Sequence, residues 1–388
     1  MKLANRMNNL GTETAFEVLA KAKALESQGK NIIHLEIGEP DFDTPSNIIK
    51  AAQDALSNGY THYGPSPGLM EVRERIAQEV SETRNISVSA NNVVITPGAK
   101  PIMFFAMLAL VDEGDEVIYP NPGFPIYESM INFVGGIPVP MKLLASNNFE
   151  VDLNDVANQI SAKTKLMIIN SPNNPCGSVI SKEDLTALAQ LAQKNDITIL
   201  TDEVYRRFLY EGEYFSPASV PGMTERTIIL DGFSKTYSMT GWRAGFGVMP
   251  ENLVEPISRL STNSVSCTAS FTQIATLEAM NGPQEEPMQM VEEFKKRRGV
   301  IVDGLNSIPG ITCPMPGGAF YVFPSIEGTG MSSKQFANDL LEKHGVACLA
   351  GESFGEYGKG CIRFSFANSM ENLEDALERI NSFVKANS

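Results

Sequence analysis

The chain has 388 residues, of which 43% are apolar and 20% are charged, an ordinary composition for a globular protein longer than one compact core. Its 46 acidic and 31 basic residues give a formal net charge of −15, which argues against nucleic acid or an anionic membrane as the main partner. The start lacks an apolar stretch of signal-peptide length, and no run of about 18 apolar residues occurs. The five cysteines are widely spaced without a C-x-x-C pair, and the three histidines are scattered. We therefore predict a cytoplasmic protein without a disulfide framework, a metal site or a membrane span.

Between about residues 90 and 250, short apolar runs typical of buried strands alternate with helical patterns. The predicted strands are Val93–Thr96, Glu116–Tyr119, Lys165–Asn170, Ile197–Thr201 and Thr227–Asp231. A helix is predicted over Ser181–Asn195, where Ser181 and Asp184 resemble a capping box. This alternation predicts an α/β fold with a mostly parallel central sheet flanked by helices.

After about residue 282 the pattern becomes α+β. The predicted helices are Glu285–Asn306, Ser332–His344 and Met370–Ala386, and the strand-like segments are Ala319–Pro324, Val346–Leu349 and Cys361–Ala367. We predict a large domain over residues 46–282 and a smaller domain made of residues 1–45 and 283–388.

Polar groups follow the predicted strands, at the carboxyl ends where open α/β sheets bind ligands. Gly98, Ala99 and Lys100 follow the first strand and open a helix, an arrangement whose free backbone N–H groups suit a phosphate. Asn174 lies in a proline-rich loop after the third strand. Taken alone, each segment is better explained as an ordinary turn.

The next two strands add charged groups. Asp202 and Tyr205 follow the fourth strand, and Lys235 follows the fifth, eight residues before Arg243. A lysine just after a buried strand is unusual, because burial of an ammonium is costly. Together these are the groups that pyridoxal 5'-phosphate (PLP) requires: an amine for a Schiff base, a carboxylate for the pyridine nitrogen, donors for the ring oxygen and cations for the phosphate.

Nearly the whole chain resembles the class I/II aminotransferases of the fold-type I, aspartate aminotransferase-like PLP superfamily. The segments that carry the resemblance are Gly38–Pro45, Tyr63–Leu69, Thr96–Lys100, Asn121–Tyr127, Asn170–Gly177, Thr201–Tyr205, Phe233–Gly245 and the Arg363 segment. Many relatives have Ser or Thr three residues before the lysine, where this chain has Gly232.

The resemblance implies roles around the cofactor. Lys235 would form the Schiff base and transfer the proton, and Asp202 would pair with the pyridinium nitrogen. Asn174 and Tyr205 would bond the ring hydroxyl. The ring would lie between Phe124 and Val204, and the phosphate would be held by Gly98, Ala99, Lys100 and Arg243.

The resemblance also implies how substrate and partner bind. Arg363 would bind the substrate α-carboxylate, helped by Asn174 and the backbone of Gly38. Tyr63 would reach the phosphate of the neighbouring subunit's cofactor, which implies a homodimer with shared active sites.

These roles predict a ping-pong aminotransferase that moves an amino group between an L-amino acid and a 2-oxo acid. A PLP-dependent β-lyase acting on cysteine conjugates is the alternative, because both reactions begin with removal of the Cα proton. The segment around Thr14 and Phe16 would lie near the substrate side chain, and Phe16 favours apolar groups. No second arginine for a distal carboxylate is evident, so alanine, aspartate, aromatic and branched-chain donors stay open.

Overall fold

The computed structural model describes residues 1–387. The helices are α1 Thr14–Glu26, α2 Ser46–Ser57, α3 Met70–Arg84, α4 Lys100–Leu110, α5 Ile126–Val134, α6 Leu153–Gln159, α7 Lys182–Lys194, α8 Glu251–Val265, α9 Ser270–Asn281, α10 Glu285–Asn306, α11 Ser333–His344 and α12 Met370–Asn387. The strands are β1 Ile33–His34, β2 Val93–Thr96, β3 Glu116–Asn121, β4 Ile137–Lys142, β5 Thr164–Asn170, β6 Thr198–Asp202, β7 Thr227–Gly232, β8 Gly245–Val248, β9 Tyr321–Val322, β10 Val346–Ala347, β11 Leu349–Ala350 and β12 Ile362–Ser365. Within residues 1–387, no helix combines the length and the apolarity that a membrane crossing needs.

A seven-stranded sheet forms the centre of the molecule, in the order β2-β8-β7-β6-β5-β3-β4. The strands β4, β3, β5, β6 and β7 are parallel, whereas β8 runs antiparallel to β2 and β7. All five predicted strands are present. Two further strands, β4 and β8, were not predicted, because β4 contains two prolines and β8 two glycines. Prolines are tolerated in β4 because it lies at the edge of the sheet.

Helices cover both faces of this sheet, so its strands are buried on both sides. Leu166 and Ile168 belong to one apolar cluster, together with side chains of α4, α5 and α8. Met167 and Ile169, the alternate residues of the same strand, belong to a second cluster with α7. Side chains of successive strand residues point to opposite faces, and burial of each contributes about 1.5–3 kcal/mol. A fully buried parallel strand therefore appears in the sequence as a continuous apolar run.

The remainder of the chain packs around a cluster of buried phenylalanines. The cluster includes one phenylalanine from each of five places, namely α10, the segment before β9, α11, β12 and α12; in that order they are Phe294, Phe320, Phe336, Phe364 and Phe383. The strands β11, β12 and β9 form a small antiparallel sheet. Near the N-terminus, β1 pairs in parallel with β10, with Ile33 opposite Val346. Residues from both ends of the chain thus share this part of the structure.

Candidate active site

A cavity of about 950 Å³ lies beyond the carboxyl ends of β5, β6 and β7, whose last residues all line it. Most of the predicted site residues also line it: Gly38, Ala99, Lys100, Phe124, Asn174, Asp202, Tyr205, Lys235, Arg243 and Arg363. Val204, predicted to pack on the cofactor ring, is a lining residue as well. Two predicted residues, Gly98 and Tyr63, are not among the lining residues.

Lys235 presents its amine to this cavity. It follows β7, is partly buried, and donates a hydrogen bond from Nζ to the backbone oxygen of Gly38. The pKa of Lys235 is lowered to about 8, mainly because the buried ammonium loses hydration; Arg363 and Lys100 also lower the pKa, whereas Glu39 and Glu13 raise it. An amine with this pKa is partly neutral near physiological pH and can act as a nucleophile or a base.

Asp202 is the last residue of β6 and is buried. Burial raises the pKa of Asp202 to about 6, although two donors oppose the shift. The phenol of Tyr127 donates to Oδ2 at 2.6 Å, and the backbone N–H of Val204 points to Oδ1 at 3.4 Å. Tyr127 lies in the Asn121–Tyr127 motif but was not predicted as a site residue. Tyr127 is the one side-chain donor to this carboxylate in the described part of the chain, and a buried carboxylate of this kind is suited to a cationic ring nitrogen.

Tyr205 is linked to a residue that the sequence analysis missed. Its hydroxyl lies 2.8 Å from the hydroxyl of Tyr321, and both side chains are buried. Burial raises the pKa of Tyr205, so the phenol stays protonated and can donate. A Cβ atom on Gly38 would lie 2.0 Å from the Tyr321 hydroxyl, so this close approach requires glycine.

Arg363, on β12, is buried, and its guanidinium has N–H groups that remain available for a ligand. Its Nη1 donates to Asn174 Oδ1 at 3.1 Å, and its Nη2 donates to the backbone oxygen of Glu36. The guanidinium carbon lies 4.6 Å from the ring centroid of Tyr321 and 4.9 Å from that of Phe354. Within residues 1–387, Nε has no hydrogen-bond partner. A guanidinium fixed in this way is well suited to bidentate binding of a carboxylate.

The turn between β2 and α4 packs tightly against Arg243. Gly98 has a φ of +83°, and a Cβ atom there would lie 2.2 Å from Arg243 Nη2. A Cβ atom on Gly245 would lie 2.3 Å from the backbone nitrogen of Ala99. Arg243 Nη1 donates to the backbone oxygen of Thr240 at 2.8 Å. At the start of α4, Pro101 has no N–H and the N–H of Ile102 donates to the backbone oxygen of Ala99 at 3.1 Å, which leaves the N–H groups of Ala99 and Lys100 at the turn. These N–H groups and the Arg243 guanidinium together suit an anion.

The remaining predicted residues lie at two different places. Phe124 lines the cavity, with its ring edge-on to Tyr127 at a centroid distance of 5.7 Å. The side chain of Lys100 forms an ion pair with Glu13. Tyr63 is 90% exposed and lies outside the cavity of its own chain. The structure thus gathers the predicted residues at or beside one cavity: Gly98 adjoins it through its close approach to Arg243, and Tyr63 is the exception.

This donor set fits PLP. The amine of lowered pKa faces a cavity that also contains a buried carboxylate, and an anion site for a phosphate adjoins it. The three features match the three polar parts of the cofactor: the aldehyde, the ring nitrogen and the phosphate. The fold and the site together are those of a fold-type I PLP enzyme.

The comparisons with known proteins agree. The family model for aminotransferase class I and II matches residues 30–380. An aspartate aminotransferase of Pyrococcus horikoshii is 42% identical over 99% of this chain and 97% of its own. Aromatic-amino-acid aminotransferase 2 of Thermococcus litoralis is 37% identical over 99% of both chains. The solved structure of aspartate aminotransferase from Thermus thermophilus with maleate superposes with a TM-score of 0.94, at 37% identity, over 98% of this chain and 99% of that one.

The chain therefore belongs to the class I and II aminotransferase family. It is an enzyme of the transaminase type, and its cofactor is PLP. The predicted α/β fold, with a mostly parallel central sheet flanked by helices, is confirmed, as are the predicted aminotransferase function and cofactor. The comparisons do not support the β-lyase alternative.

Proposed function

We propose that Lys235, Asp202 and Arg363 are the residues that carry out transamination at this cavity. The observation that carries the proposal is their placement around one cavity, as an amine with a pKa of about 8, a buried carboxylate and an arginine whose Nε finds no hydrogen-bond partner among residues 1–387. The relatives' names include both aspartate and aromatic amino acids, so similarity alone leaves the donor open.

When bound, PLP supplies a carbonyl carbon that accepts the amino group and a ring that withdraws electrons from the substrate. Asp202 would pair with the ring nitrogen, and Asn174 and Tyr205 would bond the ring hydroxyl. Phe124 and Val204 would pack on the ring. The phosphate would bind at the β2–α4 turn through the residues Gly98, Ala99, Lys100 and Arg243. Because the Lys100 side chain points to Glu13, its contribution to the phosphate would come from the backbone N–H.

Each protein group then has one task in the reaction. Arg363 clamps the α-carboxylate of the amino acid, supported by Asn174 and the backbone of Gly38, and thereby orients the bonds at Cα. Lys235, as the neutral amine, takes the proton from Cα and later delivers it to complete the transfer. The 2-oxo acid leaves before the second 2-oxo acid enters, and the same groups act in reverse.

We also propose a cytoplasmic homodimer in which Tyr63 completes the partner's site. Its phenol is exposed, and the apolar side chains of Leu3, Met7 and Leu10 are exposed as well, which favours cover by a second copy. The five free cysteines favour a reducing compartment. We further propose that residues 46–282 form the large domain, because the pairing of β1 with β10 joins the N-terminal segment to the C-terminal part of the chain outside the central sheet. Light scattering on the purified protein would test the dimer.

The central test uses the purified protein with PLP and a panel of L-amino acids. We expect a visible absorption band of the lysine-bound cofactor, which each accepted donor removes while its 2-oxo acid appears. Lys235→Ala should lose at least about a hundredfold in turnover, since positioned acid–base transfer is typically worth about 10²–10⁴-fold. Lys182→Ala, on the outer helix α7, is the matched control. Normal turnover in Lys235→Ala, or no band in the parent protein, would refute the proposal.

A further inference from the structure

An ion pair lies in the lining of the cavity, on the side covered by α1. Glu13, the residue before α1, accepts a hydrogen bond through Oε1 from Lys100 Nζ. Both residues line the cavity. The side chain of Glu13 is only 18% exposed, and the ammonium of Lys100 lies 5.2 Å from the centroid of the Phe124 ring. The pair is therefore part of the wall that meets a ligand.

The other cationic side chains in the described lining are already engaged. Lys23 pairs with Glu26 at 2.9 Å, and His34 lies 2.8 Å from Glu36 and 3.1 Å from the same Glu26. The proposed function uses the other three: Lys235, Arg243 and Arg363. Lys100 is thus the cation that remains for a charged group on a substrate side chain, and Glu13 neutralises it.

The same wall offers apolar surface. Ala15, Phe16 and Leu19 of α1 line the cavity, and Ile37 and Leu349 lie in the same lining. A substrate with a second carboxylate would have to displace Glu13 from Lys100 and then remain close to the Glu13 carboxylate. Like charges that close are unfavourable, whereas a neutral side chain leaves the pair intact.

We propose that Glu13 determines the substrate class by occupying Lys100, so that the site prefers amino acids with apolar or aromatic side chains to those with a distal carboxylate. The inference rests on the proposed function, because it assumes that Arg363 holds the α-carboxylate. It identifies Glu13 as a specificity-determining residue that takes no part in the proton transfer.

The test is Glu13→Gln, which keeps the shape of the side chain and removes its charge. In the PLP-loaded protein, we expect kcat/KM for L-aspartate relative to L-phenylalanine to rise at least about tenfold, since a charge-assisted hydrogen bond to a carboxylate is strong enough for this change. A second readout is equilibrium binding of two unreactive acids by calorimetry. Succinate should bind at least about tenfold more tightly to the variant, and 3-phenylpropanoate about equally to both proteins. Glu17→Gln, on the exposed side of the same helix turn, is the charge-matched control.

A double variant separates charge from packing. Adding Lys100→Met to Glu13→Gln should abolish the gain for aspartate and succinate, because the cation that binds the second carboxylate is then absent. An unchanged succinate affinity and an unchanged donor ratio in Glu13→Gln would overturn the inference while leaving the proposed function intact. If the parent protein converts no amino acid at all, the proposed function itself fails, and the two failures are thereby distinguished.

Discussion

The phenol of Tyr127 donates a hydrogen bond of 2.6 Å to Oδ2 of Asp202, and both side chains are buried against the sheet. This hydrogen bond favours the charged carboxylate, whereas burial disfavours it. Burial has the larger effect, because the pKa of Asp202 is raised to about 6. We therefore propose that Tyr127 is a positioning residue, which would keep Asp202 ionised for the proposed contact with the ring nitrogen.

Tyr127→Phe should therefore weaken cofactor binding. Without the donor the pKa of Asp202 rises further, so less carboxylate is present near pH 7. We expect the dissociation constant of PLP at pH 7 to rise about tenfold, in line with the strength of a hydrogen bond to a charged group. As the pH is lowered, the affinity for PLP should begin to fall at a higher pH in Tyr127→Phe than in the parent protein.

The control is Tyr119→Phe, which removes a similar phenol–carboxylate bond. Tyr119 donates to Glu128 at 2.8 Å and is not a lining residue of the cavity. Titration with PLP over a pH series would compare the three proteins. If Tyr127→Phe and the parent protein bound PLP with equal affinity, and lost that affinity over the same acid pH range, the proposed positioning role of Tyr127 would be contradicted.

Asp202 should also lower the stability of the cofactor-free protein. Its folded pKa of about 6 lies above the ordinary value of 3.8. Above pH 6 the carboxylate is charged in both the folded and the unfolded protein, so its burial destabilises the folded state fully. As the pH falls toward 4, the folded protein takes up a proton at Asp202 and this destabilisation disappears. Asp202→Asn should thus raise the free energy of unfolding at pH 8 by about 3 kcal/mol, from a shift of about two pKa units, with no gain near pH 4.

Asp231→Asn, on the neighbouring strand β7, should act in the opposite direction. Asp231 accepts ion-paired hydrogen bonds from Arg84 at 2.6 Å and Arg206 at 2.9 Å, so its loss leaves the buried guanidinium of Arg84 and the partly buried one of Arg206 less compensated. Urea unfolding of the cofactor-free variants measures both effects. A lower free energy of unfolding for Asp202→Asn than for the parent protein at pH 8 would contradict the burial penalty assigned to Asp202.

The arrangement of the sheet and of the strand-end residues could be predicted from the sequence because both are local signals. A buried parallel strand is a continuous apolar run, and the groups that act on a ligand follow it within a few residues. In this way the sequence indicates that Asp202 and Lys235 lie at the ligand-binding edge of the sheet. The strands β4 and β8 were missed, because prolines and glycines interrupt the apolar pattern on which that reasoning depends.

The supporting residues could not be predicted because their partners are distant in the chain. Tyr127 is 75 residues from Asp202, and Tyr321 is 116 residues from Tyr205. Glu13 lies 87 residues before Lys100 and looks like an ordinary residue at the start of a helix. Nothing in the local sequence distinguishes such side chains from ordinary core or surface residues. Only the folded chain brings them together.

The lowered pKa of Lys235 predicts how fast the cofactor is captured at each pH. The reactive species is the neutral amine, which increases about tenfold per pH unit below the pKa and is constant above it. With a pKa of about 8, the capture rate should rise up to about pH 8 and then level off. Stopped-flow absorbance of the cofactor-free protein mixed with PLP measures this rate. Nα-acetyl-lysine is the parallel control, because PLP titrates identically there while the free ε-amine keeps its ordinary pKa. A capture rate that still climbs between pH 9 and 10 would show that Lys235 is not desolvated as described.

Replacement of Arg363 by lysine should impair substrate binding selectively. Lysine keeps the charge but loses the planar pair of donors that matches a carboxylate, and it loses the contact with Asn174 at 3.1 Å. We expect KM for the accepted amino acid to rise about a hundredfold, which is within the value of a bidentate charged hydrogen bond, with little change in PLP affinity.

The matched control for Arg363→Lys is Arg298→Lys. Arg298 is also buried, donates to the backbone oxygen of Pro316 at 2.9 Å, and lies 4.7 Å from the centroid of the Tyr210 ring, but it does not line the cavity. Both variants lose packing on an aromatic ring, so a general loss of stability would affect them alike. A rise in KM confined to Arg363→Lys would assign the α-carboxylate to Arg363. A similar KM in both variants and the parent would remove Arg363 from the substrate site.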